Sequence, residues 1–311
     1  MKIKRQSRKH EHSGRQLSFS SPQAIPIKVK HQNWDGLAFI FFFVAVIGSF
    51  LFEVLIVVPK IYSKDANSIS PIVHNTIGLY ILHNIMGNFI QIIRHQSTIR
   101  GQLLISNNNS SSSVNNQRYC WTCETYTPPR SYHCPSCDVC ILKQDHHCSF
   151  AKSCIGFNNF RYFISLLFHI AIGSFYCTTL NMFFIWDLLG GFTLYNFLSH
   201  TFPFLFWLFG RLHWYSTICC LISIINIAAC LFTTGLIFYH CSTMIVGQTV
   251  HERAKSIQIY DLGCWKLNCE QSFGSNWKIV LISPLIPSKL PGNGKDFPTR
   301  QDYHLNSSKT K

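Results

Sequence analysis

Charged side chains are scarce in this sequence of 311 residues. They make up 13% of it, while hydrophobic residues make up 47%, and about a quarter of the residues in an average soluble protein are charged. Acidic residues are the scarcer sign, with 13 Asp and Glu against 27 Lys and Arg. This composition argues against an ordinary soluble protein and indicates a chain that lies largely in a membrane.

The start of the chain also lacks the apolar core of a cleavable signal peptide. Residues 1–35 are polar and basic, so we expect them to remain as an N-terminal segment. Ser and Asn fill most of 106–116, which is typical of a flexible linker. From residue 284 onward several Pro and Gly residues recur, and this composition predicts disorder.

Four apolar stretches are long enough to cross a bilayer, which takes about 20 helical residues. They are 37–58, 71–93, 163–186 and 217–239. Glu53 interrupts the first stretch, and we expect it to pack inward or lie near a headgroup, because an ionisable side chain is costly in lipid. A fifth stretch, 188–210, contains Gly, Pro and many aromatic residues, and it predicts an interfacial loop that does not span.

Basic residues mark one side of these four stretches. Eight Lys and Arg precede the first, seven lie between the second and third, and nine follow the fourth, whereas the other two loops carry only Lys60, Lys64 and Arg211. Positive residues concentrate on the cytoplasmic side of a membrane. The net charge of +14 is then a topology signal with some attraction to anionic lipid. It does not indicate nucleic-acid binding, because no single soluble face concentrates it.

These observations predict an α-helical membrane bundle of four spans with cytosolic termini. The predicted units are an N-terminal basic segment 1–35, spans one and two in 36–93, a cytosolic linker and cysteine-rich region 94–162, spans three and four with a luminal loop in 163–246, and a cytosolic segment 247–311.

Seven cysteines and three histidines are concentrated between residues 120 and 154. They are Cys120, Cys123, His133, Cys134, Cys137, Cys140, His146, His147, Cys148 and Cys154. Zinc takes four tetrahedral S or N ligands, and C-x2-C turns present two thiolates to one ion. Two ions use eight of the ten candidates, which leaves His146 and Cys148 as the natural remainder. One zinc site with unused cysteines, or a disulfide framework, are the alternatives, and a reducing cytosol disfavours the second.

The residues Asp145, His146 and Cys148 have the chemistry of a nucleophilic site. A thiolate attacks a thioester, and an unperturbed thiol is mostly protonated at neutral pH. His146 can take the proton of Cys148 as general base, and Asp145 can orient the imidazole. A surface charge or a turn cap is the alternative role for Asp145.

The block 120–163 resembles the cysteine-rich domain of the DHHC protein S-acyltransferases, the palmitoyltransferases. The resemblance rests on Pro129, Arg130, His133, Cys134, the tetrad 145–148, Cys154, Gly156, Asn159 and Phe163, with weaker likeness at 249–252 and 260–274. It implies that one structural Zn²⁺ is held by Cys120, Cys123, His133 and Cys140. It implies that the other is held by Cys134, Cys137, His147 and Cys154, which leaves Cys148 free.

The resemblance also implies a reaction. Cys148 takes a long-chain acyl group from acyl-CoA and passes it to a cysteine of a membrane-associated protein, in a Golgi or endoplasmic reticulum membrane. Arg118, Arg130 and Arg161 are candidates to meet the CoA phosphates. The acyl chain enters a pocket among the spans, where each buried methylene contributes about 0.8 kcal/mol. Small residues are expected to leave its tip open, namely Gly173, Ser174, Gly48 and Ser49.

Three departures from the family pattern weaken the prediction of an efficient enzyme. Ser149 and Phe150 stand where the family has Pro-Trp, and Val250 replaces a Thr whose hydroxyl can bond the active-site carboxylate. A zinc-stabilised membrane adaptor with weak or no activity is therefore the alternative. We expect His169, His213 and His240 to be interior or interface histidines.

Overall fold

The computed structural model describes residues 33–63, 69–99 and 118–302. These ranges are mostly helical, with six short strands. Most of the basic N-terminal segment, the Ser/Asn linker and the residues after 302 lie outside them.

Four helices in the described ranges are long and apolar enough to cross a membrane. The first runs over Trp34–Ile61 and consists of α1 (Asn33–Phe52), a π-helical turn (Glu53–Val57) and α2 (Val58–Ile61). The others are α3 (Ser70–Arg94), α4 (Phe160–Leu189) and α7 (Trp214–Ile245). The four predicted spans all fall within these helices, so the prediction of a four-span helical bundle is confirmed.

The aromatic stretch 188–210 does not span. It contains the end of α4 and two short helices, α5 (Leu194–Thr201) and α6 (Pro203–Leu208), neither of which reaches the length needed to cross a bilayer. Phe192, Leu194 and Phe209 expose at least 70% of their surface. Such an exposed aromatic surface is typical of segments at a membrane interface.

The helix α4 packs along both α3 and α7 and forms the centre of the bundle. Phe42 of α1 stacks on Phe89 of α3 with 4.8 Å between ring centroids. The polar residues of α3 face inward, because the amides of Asn84 and Asn88 are buried and donate to the carbonyls of the preceding turn. Glu53 is 7% exposed, which confirms that it packs inward.

The cysteine-rich region folds as three antiparallel hairpins. They pair β1 (Arg118–Cys120) with β2 (Thr125–Thr127), β3 (Tyr132–Cys134) with β4 (Val139–Ile141), and β5 (His146–Cys148) with β6 (Ser153–Ile155). Glu124, Asp138 and Lys152 take a positive φ next to or within these turns, as tight turns require. Strands of three residues hold little apolar core, so this region needs another source of stability.

The C-terminal segment wraps around the hairpins. It contains α8 (Val250–Ala254), which begins with a capping box of Thr249 and Glu252, and α9 (Trp265–Phe273). Beyond α9, Leu290 and Phe297 pack against the buried cluster that contains Leu142. The prediction of disorder from residue 284 is therefore wrong for 284–302, because these apolar side chains find a partner surface that composition alone does not reveal.

Candidate active site and metal-binding clusters

Two groups of Cys and His side chains converge among the hairpins. The first cluster is Cys120, Cys123, His133 and Cys140, and the second is Cys134, Cys137, His147 and Cys154. Within each cluster all the ligand atoms lie within 4.8 Å of one another. The Sγ atoms of Cys123 and Cys140 are 3.7 Å apart, and those of Cys137 and Cys154 are 3.6 Å apart. Thiolates bound to one tetrahedral zinc at about 2.3 Å lie roughly 3.8 Å apart, so both donor sets fit zinc.

The clusters are the two ligand sets implied by the family resemblance, and they interleave. His133 belongs to the first cluster and its neighbour Cys134 to the second, so β3 connects them. The second cluster also takes His147 from β5 and Cys154 from β6. Because β5 is held by a ligand in its middle, the adjacent residues 145–148 are fixed in place. Cys148 is in neither cluster.

Asp35 supports the second cluster from the first turn of α1. The Nε2 atom of His147 lies 3.1 Å from Asp35 Oδ2, while its Nδ1 faces the sulfur atoms of the cluster. A carboxylate on the outer nitrogen of a ligating histidine fixes its tautomer and ring orientation. Sequence reasoning missed Asp35, because nothing local links it to a histidine 112 positions later.

Asp145, His146 and Cys148 form a connected group at the membrane end of β5. His146 Nδ1 donates to Asp145 Oδ2 at 2.8 Å, and His146 also hydrogen-bonds with Cys148. Burial alone would lower the pKa of His146, but these two hydrogen bonds raise it to about 9. Burial alone would raise the pKa of Asp145, but hydrogen bonds from histidines hold it well below its usual range. The group is thus suited to hold a thiolate beside an imidazolium.

Val250 and His240 complete the surroundings of the Asp145 carboxylate. The backbone N–H of Val250 donates to Asp145 Oδ1 at 2.9 Å, so this position contacts the carboxylate without a hydroxyl. His240 of α7 brings its Nδ1 to 3.3 Å from Asp145 Oδ2. We expected His240 to be an interior histidine, and it is buried, but its neighbour is this carboxylate. No local sequence signal could have shown the contact, because 95 residues separate the two.

A sequence model of the family described as DHHC palmitoyltransferase matches residues 113–257. The probable palmitoyltransferase ZDHHC24 of Mus musculus is 32% identical over 230 residues, which cover 74% of this chain and 79% of that protein. The palmitoyltransferase erf2 of Schizosaccharomyces pombe is 31% identical over 207 residues, or 65% of this chain and 53% of that protein.

The chain belongs to the DHHC palmitoyltransferase family. The predicted enzyme class, a protein S-palmitoyltransferase, is confirmed at the level of this family. Its four helices that are able to span make it a multi-pass membrane protein, and its two Cys/His clusters are consistent with the zinc-binding domain of the family.

Two of the three arginines predicted to meet CoA are engaged inside this palmitoyltransferase instead. Arg130 is buried, and its guanidinium donates to both carboxylate oxygens of Glu252 at 2.7 and 2.6 Å. Arg161 is also buried and donates to the carbonyl of Ser288 and to the hydroxyl of Tyr162. Side chains that are withdrawn from solvent in this way cannot meet a water-borne phosphate. Arg118 is exposed and remains the available candidate.

An apolar cavity of about 560 Å³ opens beside Cys148 between α1, α4 and α7. His146, Phe150 and His240 also contact it. A second cavity of about 110 Å³ lies deeper in the bundle, and both cavities share Ala45, Val46, Ile170, Ile225 and Ala229 as wall residues. The deeper cavity is lined by Gly173, Ser174 and Ser49, as predicted for the pocket tip, and also by Glu53.

The Arg130–Glu252 pair ties the hairpins to α8, and its loss should destabilise the palmitoyltransferase. Glu252→Gln leaves the buried guanidinium without a counter-ion, so we expect the free energy of unfolding to fall by about 3–5 kcal/mol. Urea unfolding in detergent micelles measures this change. Glu270→Gln, at an exposed carboxylate of α9, is the control and should change it by less than about 0.5 kcal/mol. Equal effects of the two substitutions would contradict the prediction.

Proposed function

We propose that this chain transfers a long-chain acyl group, palmitoyl in the first instance, from acyl-CoA to cysteine thiols of membrane-associated proteins through an acyl-enzyme on Cys148. One observation carries the proposal. Cys148 lies outside both Cys/His clusters, contacts His146, and opens onto an apolar cavity between the spans. Covalent labelling of Cys148 by acyl-CoA is the test.

In the first step, His146 takes the proton of the Cys148 thiol and the thiolate attacks the carbonyl carbon of acyl-CoA. A carbon–sulfur bond forms to Cys148, the bond to the CoA sulfur breaks, and CoA leaves with the proton from His146. In the second step, His146 takes the proton of a substrate cysteine, whose sulfur attacks the acyl-Cys148 thioester. Cys148 then leaves and recovers the proton. Asp145 orients His146 and stabilises its cation in both steps.

The metals have a structural part in this proposal. Each Cys/His cluster offers four protein ligands to one ion, which is the closed set of a structural zinc and leaves no position for substrate. Two Zn²⁺ ions held there would order the hairpins and keep residues 145–148 at the mouth of the cavity. The acid–base and nucleophilic chemistry belongs to Asp145, His146 and Cys148.

The surroundings of the site are assigned by the same reasoning. We propose that the hairpins and both termini face the cytosol, because the basic residues concentrate on that side. Arg118 is then placed to meet CoA phosphates from water. A Golgi or endoplasmic reticulum membrane is the proposed location, and the bilayer itself is the medium for the acyl chain. The unit boundaries at 35, 93, 162 and 246 follow the same topology.

A bulky residue in the wall shared by the two cavities should shorten the preferred acyl chain. Ala229 contacts both cavities, so Ala229→Phe closes the way to the deeper one. Losing the burial of two methylenes costs about 1.6 kcal/mol, so we expect labelling by palmitoyl-CoA to fall roughly tenfold relative to myristoyl-CoA. Competition between the two acyl-CoAs measures the ratio.

Gly235→Phe is the matched control for this substitution. Gly235 lies on the same helix but is exposed on its outer face, and no atom stands within 4 Å of an added Cβ. It should leave the ratio unchanged. Gly173 is less suitable, because its Cβ would lie 2.9 Å from Ile81 and disturb the packing of α4 on α3. An unchanged ratio in Ala229→Phe would exclude the deeper cavity as part of the acyl pocket.

A further inference from the structure

We propose that His240 is a positioning residue for acyl transfer, which holds the Asp145 carboxylate in the orientation that His146 requires. The inference rests on the proposed function and adds a residue of the membrane span α7 to the site. It is carried by the contact between His240 Nδ1 and Asp145 Oδ2 at 3.3 Å.

Asp145 is a buried carboxylate that needs partners on both oxygens. Its side chain is 2% exposed, and burying an ionised group without partners is costly. Oδ1 accepts the Val250 N–H, and Oδ2 faces the Nδ1 atoms of His146 and His240. His146 moves a proton during the reaction, whereas His240 does not face Cys148 in any contact of the described residues. His240 can therefore hold Oδ2 while the partner on the other side changes its charge.

The ring of His240 is itself fixed. It lies edge-on to Phe163 with 4.9 Å between centroids and to Tyr239 at 5.4 Å, and its centroid is 5.1 Å from that of His146. The residue is 4% exposed, and within the described part of the chain its Nδ1 meets no hydrogen-bonding group other than Asp145. A packing residue at this place would not need a nitrogen turned toward a carboxylate. A ring that is locked by its neighbours is what a positioning role requires.

The same helix connects this contact to the acyl cavity. Besides His240, α7 supplies Ala229, Phe232, Thr233 and Leu236 to the cavity beside Cys148. The span that forms one wall of the acyl pocket therefore also positions the carboxylate. The other contacts of Asp145 come from the hairpins and from the start of α8, outside the membrane.

The test compares His240→Asn with His240→Leu in the full-length protein in detergent. Asn and Leu are similar in size and leave a similar void, but only Asn keeps an N–H donor near the position of Nδ1. We expect His240→Leu to lower the rate of Cys148 acylation roughly tenfold to a hundredfold, the range for a lost hydrogen bond to a charged group. KM for palmitoyl-CoA and the zinc content should not change, and His240→Asn should recover most of the rate.

Two further measurements separate positioning from folding and from the proposed function. In an Asp145→Asn background, His240→Leu should cause little additional loss, because it acts through Asp145. Iodoacetamide alkylates thiolates, so its rate at the Cys148 peptide should fall in His240→Leu and recover in His240→Asn. This readout needs no acyl transfer. If the wild type is not acylated, the proposed function fails, while alkylation still decides the role of His240.

Two results would overturn the inference. One is equal alkylation and acylation rates in the Asn and Leu variants when both retain wild-type zinc. The other is a full additional loss from His240→Leu in the Asp145→Asn background, because His240 would then act independently of the carboxylate.

Discussion

Cys148→Ser is expected to lower covalent labelling of the protein by palmitoyl-CoA by at least about a hundredfold. The serine hydroxyl is not ionised by a neighbouring histidine to the extent that a thiol is, so the nucleophile is lost. Folding and metal content should be unchanged, because Cys148 is in neither Cys/His cluster. The measurement is the amount of acyl group bound per protein, before and after treatment with hydroxylamine, which cleaves thioesters.

Cys264→Ser is the matched control for this experiment. Cys264 is also partly exposed and stands at the start of α9, outside the membrane helices. It should keep wild-type labelling. Label that persists in Cys148→Ser would move the nucleophile to another cysteine. A wild-type protein that takes no label would reject the enzyme and favour a zinc-stabilised adaptor of the same family.

Cys137→Ser is expected to unfold the cysteine-rich region. Cys137 is in the second cluster, 3.4 Å from the Nδ1 of His147. Binding of a structural zinc supplies about 10–16 kcal/mol, which equals or exceeds the whole stability of a typical domain. Removing a ligand should therefore reduce the metal content from two ions to one or fewer. It should also make residues 118–160 sensitive to protease.

Metal analysis and limited proteolysis of the purified protein measure both effects, and Cys148→Ser serves as the control that keeps two zinc ions. A strong chelator should reproduce the Cys137→Ser result in the wild type, because folding of these hairpins depends on the ions. The ligand assignment would be contradicted if Cys148→Ser lost an ion while Cys137→Ser kept both.

Local pattern was enough to predict the class of fold and the kind of site. A span needs only a sufficient run of apolar residues, so the four stretches from residue 37 to residue 239 were visible without a partner. Paired C-x2-C turns place two thiolates near one ion by their own geometry, so metal binding was also predictable. The tetrad 145–148 carries its nucleophile and base two residues apart.

Distant contacts were not predictable in this way. Arg130 looked like a phosphate-binding residue until Glu252, 122 positions away, was found to neutralise it. The segment 284–302 looked disordered until Phe297 was found against Phe157, with 6.0 Å between their ring centroids. In both cases the composition of the segment was right for the prediction, and the burial of its side chains against another part of the chain overrode it.

By itself, the sequence determined four spans, a metal-binding cysteine region and a spare thiol, because apolar length and ligand spacing act over a few residues. Tertiary structure alone decided that Asp35 supports His147 and that His240 faces Asp145. It also decided that the cavity between the spans opens at Cys148. The physical reason is that hydrogen bonds and cavities depend on distances in space, and helices packed in a bundle bring together side chains about a hundred residues apart.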